Sequence, residues 1–335
     1  MVVRNKCFHV FLVGLFVIAG GAVAEEKYKT YFPDEDDPFM GDYVGRWSKE
    51  EKVDPAINAQ VYPLGKDMYQ IRIVAMLDKR SPPKWMIEAK AENGKIEIDE
   101  QGIRAVIEND KFTGAKTKGK ATFEMKRVVR ESPTLGKKPP TRAVVLFDGK
   151  NFDAWQNTDD WVIVDDVMMV TPKGKVLETK QTFGDVDLHI EFRTPLMASS
   201  RGQGRGNCGV QLHGAYEIQV LDSYGLEGYY NECGALYKLS APRVNACAPP
   251  VQWQTYDINY TAPVYNDGGE LGTFGRMTVY HNGILIQDDI ELQWRTEWTE
   301  KERLKPPPSE PGRIKLLAHN NYVQFRNIWL VEKAE

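Results

Sequence analysis

Residues 187–222 contain three segments in which apolar and polar side chains alternate with period two: DLHIEFR (187–193), GVQLH (209–213) and YEIQVLD (216–222). That period belongs to a β-strand with one face packed and the other open. Leu188, Ile190, Phe192, Val210, Leu212, Ile218 and Val220 are predicted to enter a core. His189, Glu191, Arg193, Gln211, His213, Glu217 and Gln219 then point the other way. Two imidazoles, two carboxylates, two amides and a guanidinium on one shared face would grip polyols or move protons. If residues 214–216 form the turn between the last two strands, His213 faces Glu217 and Gln211 faces Gln219. This register keeps the polar residues on one side.

The same period recurs along most of the chain. Residues 43–130 read as short strands and glycine turns, with a hairpin around Gly65-Lys66-Asp67, and no histidine falls among them. They predict a small antiparallel β domain over 25–131, after an acidic, Pro-containing lead-in at 25–42. SPTLGKKPPT marks a linker, placed at 132–143. Strand signals continue through 144–335, with no amphipathic helix longer than about three turns. The fold class is all-β, a sandwich preceded by the small β domain.

Length, charge and cysteines refine this picture. At 335 residues the chain has room for two domains. A net charge of −4 and the lack of a basic stripe argue against a nucleic-acid partner. Arg4 and Lys6, an apolar run from residue 7 to 21, and AVA at 22–24 form a secretory leader over 1–24. The expected mature protein starts near Glu25 and is secreted or periplasmic, with no membrane span after signal removal. In an oxidising compartment Cys233 and Cys247 are expected to pair, leaving Cys208 free. Closing their 13-residue interior would contribute roughly 3 kcal/mol.

RGQGRGN (201–207) fails as a dinucleotide loop, because the third glycine position is Asn207 and no βαβ pattern surrounds it. A larger pattern is specific. LFDGKNFDAW, DLHIEFR, NCGVQLHGAYEIQVLDSYG, CGALYK, NACAPPVQWQTYDI, VYHNG and AHNNYVQFRNIWL occur in order. Over about 144–333 the chain closely resembles the 3-keto-disaccharide hydrolases, the 3-keto-glucoside 1,2-lyase/3-keto-2-hydroxy-glucal hydratase domain. The resemblance implies a concanavalin-like jelly roll with its site on the concave face. One departure stands out: relatives place an acid before the histidine of the closing motif, whereas Ala318 precedes His319 here.

The implied reaction cleaves a glycoside, typically an oxidised disaccharide, already carrying a ketone at C3. A base takes the C2 proton, charge develops on the C3 oxygen, the C1 substituent leaves, and water adds to the glycal. Such a site needs a base, an acid and a stabiliser of the developing oxyanion. Glu217, His213, Glu191 and His319 are the catalytic candidates. His189, Arg193, Gln211, Gln219, Asp222, Tyr237, Lys238 and Arg326 are candidates for substrate contacts. Asn327 is expected to orient the last strand and His281 to sit at a loop tip. No cofactor is required. A divalent metal held by His213, Glu217, His189, Glu191 and His319 is a second route to oxyanion stabilisation that no spacing demands. The alternative function is a non-catalytic, lectin-like carbohydrate-binding module, because function resides in the site rather than the fold. An ordinary glycosidase acting on unoxidised sugars is a weaker third.

Overall fold

The computed structural model describes residues 28–48, 55–297 and 299–333. The expected leader at 1–24 lies outside them. Eight strands, beginning with β1 (Gly41–Trp47), β2 (Ala56–Gly65) and β3 (Met68–Val74) and ending with β8 (Thr122–Val128), pair in chain order. β8 closes back on β1, so the predicted small domain is a closed barrel, which leaves no free sheet edge. The Gly65-Lys66-Asp67 hairpin joins β2 to β3 as expected. Alternate residues such as Ile57, Ile71, Ile87, Ile107 and Phe112 fill the barrel interior.

The second unit is a β-sandwich of two antiparallel sheets. One has five strands in the order β10 (Trp155–Gln156), β13 (Leu177–Thr179), β22 (Lys315–Ala318), β15 (Cys208–Leu212) and β16 (Tyr216–Val220). The other runs β11 (Trp161–Val164), β12 (Val167–Val170), β23 (Val323–Glu332), β14 (Val186–Arg193), β17 (Gln254–Thr261), β20 (Arg276–His281) and β21 (Ile284–Glu291). β9 (Val144–Phe147) adds to β23, and β18 (Val264–Tyr265) pairs with β19 (Leu271–Thr273) apart from both sheets. Leu188, Ile190 and Phe192 from the large sheet meet Val210, Ile218 and Val220 from the small one in a single core. The α-helix Glu300–Arg303 is a single turn.

Several connections fix the barrel to the sandwich. The Tyr224 hydroxyl donates to Asp42 at 2.8 Å, and Arg130 donates to the other oxygen of Asp42 at 2.6 Å. Tyr62 of β2 packs into the sandwich core, edge-on to Tyr224. Gly225 permits this approach, since a Cβ there would fall 2.3 Å from the Tyr62 ring. The lead-in also contributes: Tyr28 and Phe32 pack with Met169 and Tyr322 of the sandwich.

The linker is a further connection. Ser132 shares a 2.6 Å hydrogen bond with Thr255, Thr134 donates to Asp257 at 2.5 Å, and the Gly136 N–H donates to Glu191 at 2.6 Å. The Lys137 carbonyl accepts from Asn327 and from the Trp329 indole. Residues 132–137 are therefore a strap laid along the outer face of the eight-stranded sheet.

The cysteine expectation is not met. Cys208, Cys233 and Cys247 are free, buried thiols. Cys233 and Cys247 are neighbours that share a thiol–thiol hydrogen bond, and each has a further contact. Cys233 Sγ lies 3.2 Å from the Tyr256 hydroxyl, and Cys247 Sγ donates to the Ala248 carbonyl at 3.4 Å. Cys208 donates to the Leu317 carbonyl.

Candidate active site

The shared polar face expected from the alternation separates into two. β14 belongs to the large sheet, whereas β15 and β16 belong to the small one. Both sheets turn their apolar residues inward, so their polar residues emerge on opposite outer sides of the sandwich.

On the large sheet, His189, Glu191, Arg193 and Arg326 serve the strap and its surroundings. Glu191 is fully buried and accepts from Gly136 N, Asn327 Nδ2 at 2.8 Å and Arg326 Nε at 2.7 Å. Burial alone would raise its pKa. Hydrogen bonds from His189, Asn327, Arg326 and Gly136 outweigh that and hold it at about 2. His189 Nδ1 lies 2.8 Å from Asp257 Oδ1, and the ring stacks on Trp329. Burial disfavours the charged ring, but the hydrogen bonds to Asp257 and Glu191 win and raise its pKa. One extra residue in β23 between the pairs His189–Trp329 and Glu191–Arg326 makes a bulge. There Asn327, at φ +45, turns its amide to Glu191 and to the Lys137 carbonyl. Arg193 donates to Gln324 at 2.5 Å and lies over Phe32 and Trp253.

On the small sheet the outer face holds a cavity of about 490 Å³. Gln211, Glu217, Gln219, Lys315 and Leu317 form its floor, with Gln203, Asn207, Tyr237, Thr296, Glu297, Val176 and His319 around them. Gln211 pairs with Glu217 on one side and Lys315 on the other, and Gly209 pairs with Gln219. The register is two residues away from the one expected, with a turn at 213–215 rather than 214–216. The faces stay unmixed because a shift of two preserves alternation. His213 falls in the turn at φ +56, its ring against Tyr260 on the sandwich side and not facing Glu217. Burial pushes its pKa down.

β16 is the edge strand, and two irregular segments cover it. The Tyr237 N–H donates to the Glu217 carbonyl, and the Glu217 N–H donates to Thr296 Oγ1 at 2.6 Å. These segments bring Tyr237 and Glu297 beside the Glu217 carboxyl. Burial, and then the charge of Glu297, raise the Glu217 pKa to about 8. Tyr237 is raised by burial and by the charge of Glu217. Gly209 leaves room for the carboxyl to lie across β15: a Cβ there would stand 2.4 Å from Glu217 Oε1. Gln219 donates to Asn207 at 3.0 Å and to Gln203 at 3.2 Å, which holds the glycine-rich loop against the floor.

His319 follows β22 at the cavity's rim, where it is exposed, and partial desolvation there lowers its pKa. Ala318 pairs with Cys208 and packs against the core, so the departure from the family pattern lies outside the cavity lining. Asp222 is elsewhere, in a buried ion pair with Arg205 at 2.6 Å. Lys238 lies over the Tyr237 ring without lining the cavity. His281 is fully buried and shares a 2.9 Å hydrogen bond with Gln254, so it is no loop-tip residue. The metal set proposed from sequence is divided: His189 and Glu191 lie on one outer face, Glu217 and His319 on the other, and His213 in the turn against Tyr260. Among the described residues no group of three or more His, Cys, Asp or Glu side chains is arranged to hold a metal.

Gln203, Asn207, Thr296, Glu297 and Lys315 were not singled out by the sequence. Lys315 had a usable signal: it alternates with Ile314 and Leu316 in GRIKLLAH. The other four stand on irregular segments, where no period operates.

Residues 142–331 match the 3-keto-alpha-glucoside-1,2-lyase-like domain. A crystal structure of "a putative glycosyl hydrolase from Parabacteroides distasonis ATCC 8503" is 37% identical, with a TM-score of 0.54, covering 58% of this chain and 85% of that one. A second structure from the same organism, described in the same words, is 18% identical with a TM-score of 0.40, covering 57% and 94%. A search of curated proteins finds no match. The family match spans more than half of the chain and contains both sheets and the cavity between its loops. On that ground the chain belongs to the 3-keto-alpha-glucoside-1,2-lyase-like family, a group of glycoside-processing domains.

Proposed function

We propose that the protein cleaves 3-keto-glycosides by elimination across C1–C2, followed by hydration of the 3-keto-2-hydroxy-glucal, in the cavity on the five-stranded sheet. The observation that carries this reading is the opposed tuning of two titratable groups in one polar cavity. Glu217 is held at about 8 and so keeps its proton at neutral pH. His319 is lowered and so stays unprotonated. Environments that push two groups apart in this way supply an acid and a base together.

His319 takes the C2 proton, and the electron pair moves to the C3 oxygen. Lys315 is the cation on the cavity floor suited to that oxyanion. As the C3 carbonyl re-forms, the C1–O bond breaks and Glu217 gives its proton to the leaving oxygen. Water then adds, with hydroxide to C1 and a proton to C2, releasing 3-ketoglucose. Gln211, Gln219 and Asn207 present amides to the sugar hydroxyls. The deciding experiment incubates the protein with the 3-keto and unoxidised forms of one disaccharide and follows 3-ketoglucose. Release from the 3-keto form alone supports the proposal. Cleavage of the unoxidised form makes it an ordinary glycosidase.

The roles fix the pH profile. kcat/KM should fall in acid as His319 gains a proton, and fall above about pH 8 as Glu217 loses one. A rate that instead climbs through pH 8 would make Glu217 the base.

Gly209→Ala tests the placement of the acid. The added methyl requires the carboxyl to move, and a displacement of about 1 Å is worth roughly 100-fold in rate. A 10- to 100-fold loss with an unchanged circular dichroism spectrum is expected. Activity within twofold of wild type would show that the carboxyl does not need this position.

A further inference from the structure

Beside the cavity, at the edge beyond β16, a turn carries two adjacent aromatic side chains outward. Tyr229 is 56% exposed and Tyr230 54%. The turn is held in place. Glu232 accepts from the Gly228 N–H at 2.6 Å and the Tyr229 N–H at 3.0 Å. The Tyr230 carbonyl accepts from Lys238 N at 2.9 Å, next to the cavity residue Tyr237. Gln203, also of the cavity, donates to the Asn231 carbonyl at 2.7 Å. Two large exposed rings on a held turn at a cleft's rim offer a stacking surface to a flat apolar face.

Strand order says which part of a substrate meets them. From β22 the sheet runs through β15 to β16 and then to the segment bearing Tyr237. His319 lies beyond the end of β22 and Glu217 on β16, two strands across the sheet and, because Lys315 is the β22 residue level with Glu217, four residues along it. If Glu217 protonates the leaving oxygen, the departing group extends toward the turn at 229–231.

We propose that Tyr229 and Tyr230 form a subsite for the leaving group, selecting glycosides whose C1 substituent carries a ring, either a second sugar or an aryl group. This rests on the reaction assigned above. The test compares methyl, glucosyl and phenyl 3-keto-glucosides of one anomeric configuration as substrates for wild type, each single alanine variant and the Tyr229→Ala/Tyr230→Ala double variant. The double variant should lose about 10-fold in kcat/KM on the two ring-bearing substrates, the scale of a lost aromatic contact. It should change less than twofold on the methyl one, and Tyr230→Trp should retain the preference. Loss on phenyl alone assigns the subsite to aryl groups, and loss on glucosyl alone to sugars. Equal loss on all three, or none, overturns the subsite. Calorimetric titration of the same proteins with unoxidised methyl and phenyl glucosides separates the two levels of inference. A phenyl preference that the double variant abolishes keeps the subsite even where wild type turns over no 3-keto-glycoside. No phenyl preference in wild type, together with normal turnover, overturns the subsite and leaves the reaction standing.

Discussion

Glu217→Gln is expected to lower kcat on a 3-keto-glycoside by about 100- to 10,000-fold, the range of a lost general acid. The substitution keeps the shape and removes the transferable proton. The loss should depend on the leaving group: large for a sugar or methanol, small for nitrophenol, which departs without protonation. A residue that only grips a hydroxyl would cost about 1 kcal/mol, roughly fivefold, on every substrate alike. That uniform, small loss would remove Glu217 from the catalytic list. Stability should move the other way. The carboxyl holds its proton to about 8 in the folded chain, against an ordinary 4.5. Its contribution is therefore full below about pH 4.5 and is lost as pH rises through about 8. The loss has an upper bound of about 5 kcal/mol. Glu217→Gln should melt above wild type at pH 8.5, with the gap closing toward pH 5. A gain in stability beside a loss of activity is the signature of a site kept strained for use.

Glu191→Ala should do the opposite. Removing this fully buried carboxylate strands the Arg326 guanidinium and the His189 ring and releases the Gly136 N–H. Breaking a buried charge cluster from one side costs about 3–5 kcal/mol. The denaturation midpoint should drop accordingly, and trypsin should cut faster after Lys137 as the strap lifts. Well below the melting temperature, turnover should stay within about fivefold of wild type, because the cluster and the cavity occupy opposite outer faces. Normal stability with lost turnover would return Glu191 to the chemistry.

The contrast between these two glutamates shows what the sequence could reveal. Period-two alternation placed Leu188, Val210 and Ile218 in the core and Glu191 and Glu217 outside it, correctly in each case. Alternation reports the side of a strand and says nothing about which sheet the strand joins. β14 and β15 are consecutive in the chain, apart from the glycine-rich loop, yet that loop carries the chain from one layer to the other. His213 shows a second limit. A turn at 213–215 and one at 214–216 both keep faces unmixed only when the strands slip by two, and the hydrophobic pattern cannot count that slip. Tyr237 was found through the family motif CGALYK, while Glu297 had neither motif nor period. The strap was visible as a linker, but its docking depends on Glu191, Asp257 and Asn327, which are 50 or more residues away in the chain.

The closure of the barrel bears on how such a chain can be assembled. β1 and β8 are paired neighbours, Asp42 opposite Val128, so the chain enters and leaves the barrel through adjacent residues. The flanking segments, Tyr28 and Phe32 before it and the strap after it, both rest on the sandwich. Every strand of the sandwich follows the barrel in the chain, yet both flanking segments rest on the sandwich, so the barrel is a cassette held at two adjoining ends. A cassette with adjoining ends can be gained, lost or exchanged without rethreading its host. The family match beginning at residue 142, beyond the barrel, agrees with that modularity.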